Sequence, residues 1–136
     1  MEKLRKNKKQ KKIACEGGCH CGRVRFQVII DRWIVWECNC SICRKKGFLH
    51  LIIPPENFKL LKGQEFLHTY TFNTGIAKHS FCCNCGIHSF YTPRSHPDWI
   101  DVNIRCLDRD LNAEFEILPF EGKNWETNVS KIQKNC

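Results

Sequence analysis

The chain of 136 residues is long enough for one domain with a hydrophobic core. Its hydrophobic content of 42% and aromatic content of 11% are typical of a globular protein and exclude a chain that is disordered throughout. The formal charge of +8 is concentrated at the start, because residues 1–12 contain seven Lys or Arg and one Glu. We therefore assign the basic character to this tail and not to the domain that follows.

The tail, residues 1–12, has almost no apolar side chains, and we expect it to be disordered. Such a run is typical of a nuclear-localisation signal, or of a segment that contacts nucleic acid, chromatin, microtubules or anionic lipid; it also serves simply to solubilise a terminus. No apolar stretch resembles a signal peptide or is long enough to cross a bilayer. We therefore expect a nuclear or cytoplasmic protein in a reducing compartment.

The domain, predicted over residues 13–130, reads as a series of short strands. Alternating or short apolar runs between turn residues predict strands over residues 24–28, 33–37, 48–53, 66–72, 77–81, 87–91, 100–106 and 113–118. Helical turns are predicted over residues 56–61 and 124–128. Because long helical periodicity is absent, we predict a mainly antiparallel β fold of two small sheets, in which bound metal holds the loops in place.

Eleven cysteines in a chain of this length indicate either a disulfide scaffold or a metal protein. The reducing compartment favours metal, because disulfides are rare there. Seven of the cysteines fall into two pairs and one triplet, namely Cys19 with Cys21, Cys82 with Cys85, and Cys38 with Cys40 and Cys43. The remaining interpretation, buried thiols without a ligand, does not account for this clustering.

The two pairs supply four thiolates, the number that a closed structural zinc site needs. By binding one ion, the two pairs would link the first predicted strand to the middle of the chain. The triplet supplies three thiolates, the number typical of a zinc with one open position. A closed second site remains an alternative, with a fourth ligand from His20, His50, His79 or Cys106. The sequence shows no obvious general base beside the open site.

Four segments together resemble the glutathione-dependent formaldehyde-activating enzyme family. They are residues 17–26, 38–43, 81–86 and 105–108, and the resemblance extends over about residues 15–126. Three further segments resemble the eukaryotic, centromere protein V-like branch, namely residues 58–63, 70–74 and 89–95.

The resemblance implies a β-tent fold that holds two zinc ions. It assigns a structural ion to Cys19, Cys21, Cys82 and Cys85, and a catalytic-type ion to Cys38, Cys40 and Cys43. It further implies carbon–sulfur lyase chemistry on a hydroxymethyl adduct of glutathione, the product of glutathione and formaldehyde.

A possible substrate contact follows the last cysteine of the triplet. Arg44, Lys45 and Lys46 are candidates to bind the carboxylates of glutathione, and the alternative interpretation is a solvated basic turn. A different class of function also fits the residues. In that alternative the domain is a non-catalytic zinc module, and residues 1–12 attach it to chromatin or microtubules.

Overall fold

Short β-strands make up most of the regular structure in the computed structural model, which describes residues 11–134. The strands are β1 (Ile13–Gly18), β2 (Arg25–Ile30), β3 (Ile34–Cys38), β4 (Leu49–Ile53), β5 (Phe58–Lys62), β6 (Leu67–Tyr70), β7 (His79–Cys82), β8 (Phe90–Tyr91), β9 (Ile100–Asn103) and β10 (Glu116–Phe120). Helix α1 (Ser41–Lys46) follows β3, and helix α2 (Trp125–Lys134) follows β10. The mainly β class predicted from the sequence is confirmed.

Within the described residues the strands form three sheets, one more than predicted. Their strand orders are β10-β3-β4-β9-β8, β1-β2-β5 and β6-β7. The pairings are antiparallel except for β10 with β3, which is parallel. This exception is possible because β10 returns to β3 through a long connection and not through a hairpin turn.

The five-stranded sheet has a hydrophobic core on each face, because neighbouring residues of a strand point to opposite sides. On one face, Val35 and Leu51 belong to the larger core, which includes β2 and its residue Phe26. On the other face, Trp36 and Ile52 form a smaller core with residues that include Phe120 and Ile132. The candidate site lies on the side of this smaller core, which α2 helps to cover.

The structure differs from the sequence-based prediction at several elements. The helical turn predicted over residues 56–61 is wrong: a 3₁₀ turn, Pro55–Asn57, is followed by β5. Phe58 and Leu60 of this strand pack against the larger core, which a strand with alternating faces allows. The turn predicted over residues 124–128 is the beginning of the longer α2. Strand β1 and helix α1 were not predicted.

The predicted basic tail lies outside the described residues except for Lys11 and Lys12, so its disorder stays a prediction. The backbone carbonyl of Lys11 accepts a hydrogen bond of 2.8 Å from the indole Nε1 of Trp33, a buried residue. The domain therefore makes a specific contact just before β1. Among residues 11–134, none of the helices has the length and apolar character needed to span a membrane.

Candidate metal centres

The two predicted cysteine pairs meet in one four-sulfur group. Cys19 and Cys21 lie in the connection between β1 and β2, whereas Cys82 ends β7 and Cys85 follows it. The four Sγ atoms all lie within 4.8 Å of one another. The Sγ atoms of Cys19 and Cys21 are 3.6 Å apart, and those of Cys21 and Cys82 are 3.7 Å apart. This arrangement suits a single tetrahedral ion.

The local backbone around the four-sulfur group favours thiolates. The backbone N–H of Val24 donates to Sγ of Cys19 over 3.3 Å. Hydrogen bonds from the backbone of Arg23 and then from the side chain of Asn84 lower the pKa of Cys21 to about 5. Cys83, between the ligand candidates of the second pair, is exposed to solvent. Each of the ten described cysteines is a free thiol, so no disulfide competes for these sulfurs.

The triplet forms a separate three-sulfur group at the start of α1. Cys38 is the last residue of β3, Cys40 caps α1, and Cys43 is the buried residue of that helix. Their Sγ atoms also lie within 4.8 Å of one another. Sγ of Cys40 accepts a hydrogen bond of 3.4 Å from the backbone N–H of Cys43, so the same contact that begins the helix orients the sulfur.

The charge balance of the three-sulfur group calls for a cation. Hydrogen bonds from the thiols of Cys38 and Cys43 lower the pKa of Cys40 to about 2. The bond donated to Cys40 raises the pKa of Cys38 to about 11, and the pKa of Cys43 is also raised. Without a cation, one thiolate is therefore stabilised at the expense of the other two. A bound divalent ion would remove this conflict by stabilising all three.

Gly122 closes one side of the three-sulfur group. A Cβ atom at this position would lie 2.4 Å from Sγ of Cys38 and 2.8 Å from Cβ of Cys40. The backbone after β10 therefore packs directly against the sulfurs and leaves no room for a side chain. Soft sulfur donors held in a tight cradle fit Zn²⁺ well.

None of the four residues considered as a fourth ligand joins the three-sulfur group. His20 is exposed beside the four-sulfur group, and Cys106 also lies near that group. His50 and His79 line the cavity into which the triplet opens, but no described His, Cys, Asp or Glu extends the three-sulfur set. The described residues thus provide three ligands and an adjoining space.

That space, the sulfur cavity, has a volume of about 520 Å³, which is within the usual range for small-molecule sites. Its apolar walls come largely from the smaller core, including Trp36, Ile52 and Phe120. Trp125 and Ile132 of α2 also line it. The three-sulfur group therefore opens into a mainly apolar space that accommodates a small ligand.

A buried histidine–aspartate pair also lines the sulfur cavity, and the sequence-based interpretation missed it. Nδ1 of His50 lies 2.7 Å from Oδ2 of Asp101, and the residues are only 4% and 1% exposed. The hydroxyl of Tyr91 lies 3.4 Å from the same Nδ1. Nε2 of His50 is buried without a hydrogen-bond partner in the described structure. The sequence showed no obvious general base beside the open site, and the structure adds this histidine as a candidate.

The three basic residues after the triplet have different surroundings. Lys46 is partly buried: its Nζ lies 3.2 Å from Nδ1 of His79 and 4.1 Å from the centroid of the Tyr91 ring. Burial lowers the pKa of Lys46. Arg44 and Lys45 are exposed. Arg44 lines a second cavity, of about 570 Å³, that also contacts Cys38, Cys43 and Arg105.

The fold and the two sulfur groups define a small β protein with one four-thiol and one three-thiol metal-type site. A sequence model of the family described as "Glutathione-dependent formaldehyde-activating enzyme" matches residues 14–121, and the chain belongs to this family. A Halomonas elongata protein described as "Putative glutathione-dependent formaldehyde-activating enzyme" is 28% identical over 133 residues, covering 89% of this chain and 85% of that protein.

The fold is similar to that of a solved structure. A crystal structure of a Rhodobacter sphaeroides protein matches with a TM-score of 0.66 and 32% identity, covering 76% of this chain and 97% of the other. These likenesses support the predicted family and fold. They do not separate branches of the family, so the centromere protein V-like branch stays a prediction.

Proposed function

We propose that this protein is a zinc-dependent enzyme of the carbon–sulfur lyase type, acting on the hydroxymethyl adduct of glutathione. The observation that carries the proposal is the three-sulfur group, to which no fourth described ligand belongs and which opens into the sulfur cavity. Membership of the glutathione-dependent formaldehyde-activating enzyme family supports the same substrate class. The reaction joins or separates a thiol and formaldehyde.

The proposal assigns two zinc ions different roles. Cys19, Cys21, Cys82 and Cys85 would hold one ion in a closed, structural site. Cys38, Cys40 and Cys43 would hold the other and leave one position open to the substrate. The second ion would supply a binding position for the substrate's sulfur, and three thiolate ligands make it a weak activator of water.

The chain's own residues exclude water and orient the substrate. Trp36, Ile52 and Phe120 give the sulfur cavity apolar walls, which protect a reactive adduct from solvent. Arg44 is the best placed of the three basic residues to bind a carboxylate of glutathione, because it lines the second cavity together with Arg105, Cys38 and Cys43. Lys45 is exposed, and the more buried Lys46 is less accessible to a charged ligand.

Calorimetric titration of the zinc-loaded protein tests the proposal. Glutathione should bind, whereas S-methylglutathione, which has the same carboxylates but a poor sulfur donor, should bind at least about tenfold less tightly. Cys40→Ser should abolish this preference and lower the zinc content from two ions toward one. Cys83→Ser changes an exposed thiol outside both groups and should behave like the wild type.

The opposite outcome would favour the non-catalytic interpretation. A wild-type protein that holds two zinc ions but binds neither ligand would contradict the enzyme proposal. The chain would then be better described as a zinc module that acts through contacts with larger partners.

A further inference from the structure

We propose that His50, held by Asp101, is the group that accepts and returns the proton of the substrate during the reaction. The inference rests on the proposed function, because it concerns the proton that a thiol loses when its sulfur binds in the sulfur cavity. It adds a catalytic residue and a positioning residue to a site otherwise defined by sulfur atoms.

The two residues are brought together by the pairing of β4 with β9. In this register His50 lies opposite Asn103, and Asp101 lies opposite Ile52. Both side chains are more than nine-tenths buried, and both line the sulfur cavity beside the three-sulfur group. A buried histidine and a buried aspartate are costly, since an unpaired buried polar group destabilises a fold.

The short contact determines which nitrogen of His50 is available. A carboxylate only accepts hydrogen bonds, so Nδ1 of His50 carries the hydrogen that is donated to Oδ2 of Asp101 over 2.7 Å. In a neutral ring, Nε2 then has a free lone pair. This Nε2 is buried and has no hydrogen-bond partner among the described residues. His50 also lines the sulfur cavity, so this unpaired lone pair belongs to a residue of the cavity wall.

A structural role alone does not account for this arrangement. The contact with Asp101 satisfies one ring nitrogen, and His50 also packs against the rings of Phe48 and Tyr91, with centroids at 4.6 Å and 5.9 Å. These contacts hold the ring in place but leave Nε2 unpaired. Because His50 does not belong to the three-sulfur group, Nε2 is not assigned to the metal either. A substrate hydroxyl or thiol is the chemistry that fits.

The proposed steps balance without any additional reactant. As the thiol binds, its S–H bond breaks and the proton moves to Nε2, giving an imidazolium that the Asp101 carboxylate stabilises. The sulfur then forms a bond to the carbon of formaldehyde, while the π electrons of the C=O bond move to oxygen. Nε2 returns its proton to that oxygen, and the product is the hydroxymethyl thioether. The reverse sequence releases formaldehyde and thiol, with no change in redox state overall.

Proton counting during binding tests the inference independently of turnover. Glutathione is titrated calorimetrically into the zinc-loaded, full-length protein at pH 7 in buffers of different ionisation enthalpy. At this pH the free thiol is protonated. The wild type should release about zero protons per glutathione bound, because His50 retains the proton, whereas His50→Gln should release about one. Equal release by the two proteins would overturn the role of His50.

Exchange rates provide a second measurement on the same variants. The exchange between free glutathione and its formaldehyde adduct, followed by NMR with the uncatalysed rate subtracted, should slow about 100-fold in His50→Gln. Asp101→Asn should also slow it, because an amide no longer stabilises the imidazolium. In both variants the zinc content should stay at two. A variant that keeps wild-type exchange would contradict the inference.

A measurement on the wild type tests the inference even if a variant does not fold. Nitrogen NMR of His50 should show the neutral Nδ1–H form in the free protein and an imidazolium after glutathione is added. A ring that stays neutral in the complex would overturn the proton transfer and leave the proposed function standing. Failure of the wild type to bind glutathione would overturn the proposed function, and this inference with it.

Discussion

Gly122 offers a direct perturbation of the three-sulfur group that leaves its ligands unchanged. In Gly122→Ala the new Cβ would meet Sγ of Cys38 at 2.4 Å, and both Cβ and the backbone N of Cys40, at 2.8 Å and 3.1 Å. A free Cys38 thiol rotates away from such a contact at little cost. A sulfur bound to a metal is held in position, and the backbone of Cys40 cannot rotate away.

The cost of Gly122→Ala should therefore fall mainly on metal binding. Overpacking of this kind typically costs about 1–3 kcal/mol, which corresponds to roughly a 5- to 150-fold loss of affinity. We expect a chelator competition assay to show this loss at the second zinc site, with the first site unchanged. With the first site loaded and the second empty, the variant should melt at a somewhat lower temperature than the wild type, because its contact with Cys40 remains.

Gly47→Ala is the matched control. Gly47 ends α1 with a φ of 65°, and a Cβ there meets nothing within 4 Å. This substitution should destabilise the fold by about 1–2 kcal/mol through backbone strain, while both zinc affinities remain unchanged. A Gly122→Ala protein with wild-type affinity at the second site, or with an equal loss at both sites, would refute the assignment of the three-sulfur group as a metal site.

Three further predictions concern other parts of the chain. Cys85→Ser should give unfolded or insoluble protein, because a structural zinc contributes on the order of 10 kcal/mol; a soluble variant with two zinc ions would contradict the four-sulfur assignment. Deleting residues 1–10, which leaves the Lys11 contact in place, should barely change the melting temperature but should weaken salt-dependent binding to nucleic acid; unchanged affinity in a mobility shift would place that binding on the domain. Burial and the charge of Lys46 lower the pKa of His79 to about 4 in the folded protein. In the unfolded chain the pKa of His79 is near 6.5, so between these two pH values only the unfolded chain binds a proton at this residue. The stability contributed by a neutral His79 should therefore fall as the pH drops from about 6.5 to about 4, and denaturant unfolding of His79→Gln should lack this part of the pH dependence.

The sequence was sufficient to group the metal-ligand candidates, because their spacing is local. Cys38, Cys40 and Cys43 lie within six residues, and such a cluster requires no knowledge of the sheet. The two pairs are distant from each other, but each pair is recognisable by itself. The structure brings together the same seven sulfurs that the spacing indicated.

The histidine–aspartate pair was not accessible to the same reasoning. His50 and Asp101 are 51 residues apart, and their contact depends on the register between β4 and β9. The available signals were one polar residue in β4, His50, and two in β9, Asp101 and Asn103. Such residues indicate a burial cost but not the identity of the partner. Helix α1 was missed for a related reason, because six residues are too few to show helical periodicity.

The central claim, an open metal position formed by three thiolates, is tested most directly by cobalt spectroscopy. Co²⁺ loaded at the three-sulfur group should give thiolate-to-metal absorption bands. These bands should shift when glutathione is added, because a fourth sulfur joins the ion. S-methylglutathione should leave them unchanged, and Cys40→Ser should weaken them. Bands that do not respond to glutathione would show that no position is open to a thiol, and they would contradict the proposed enzyme.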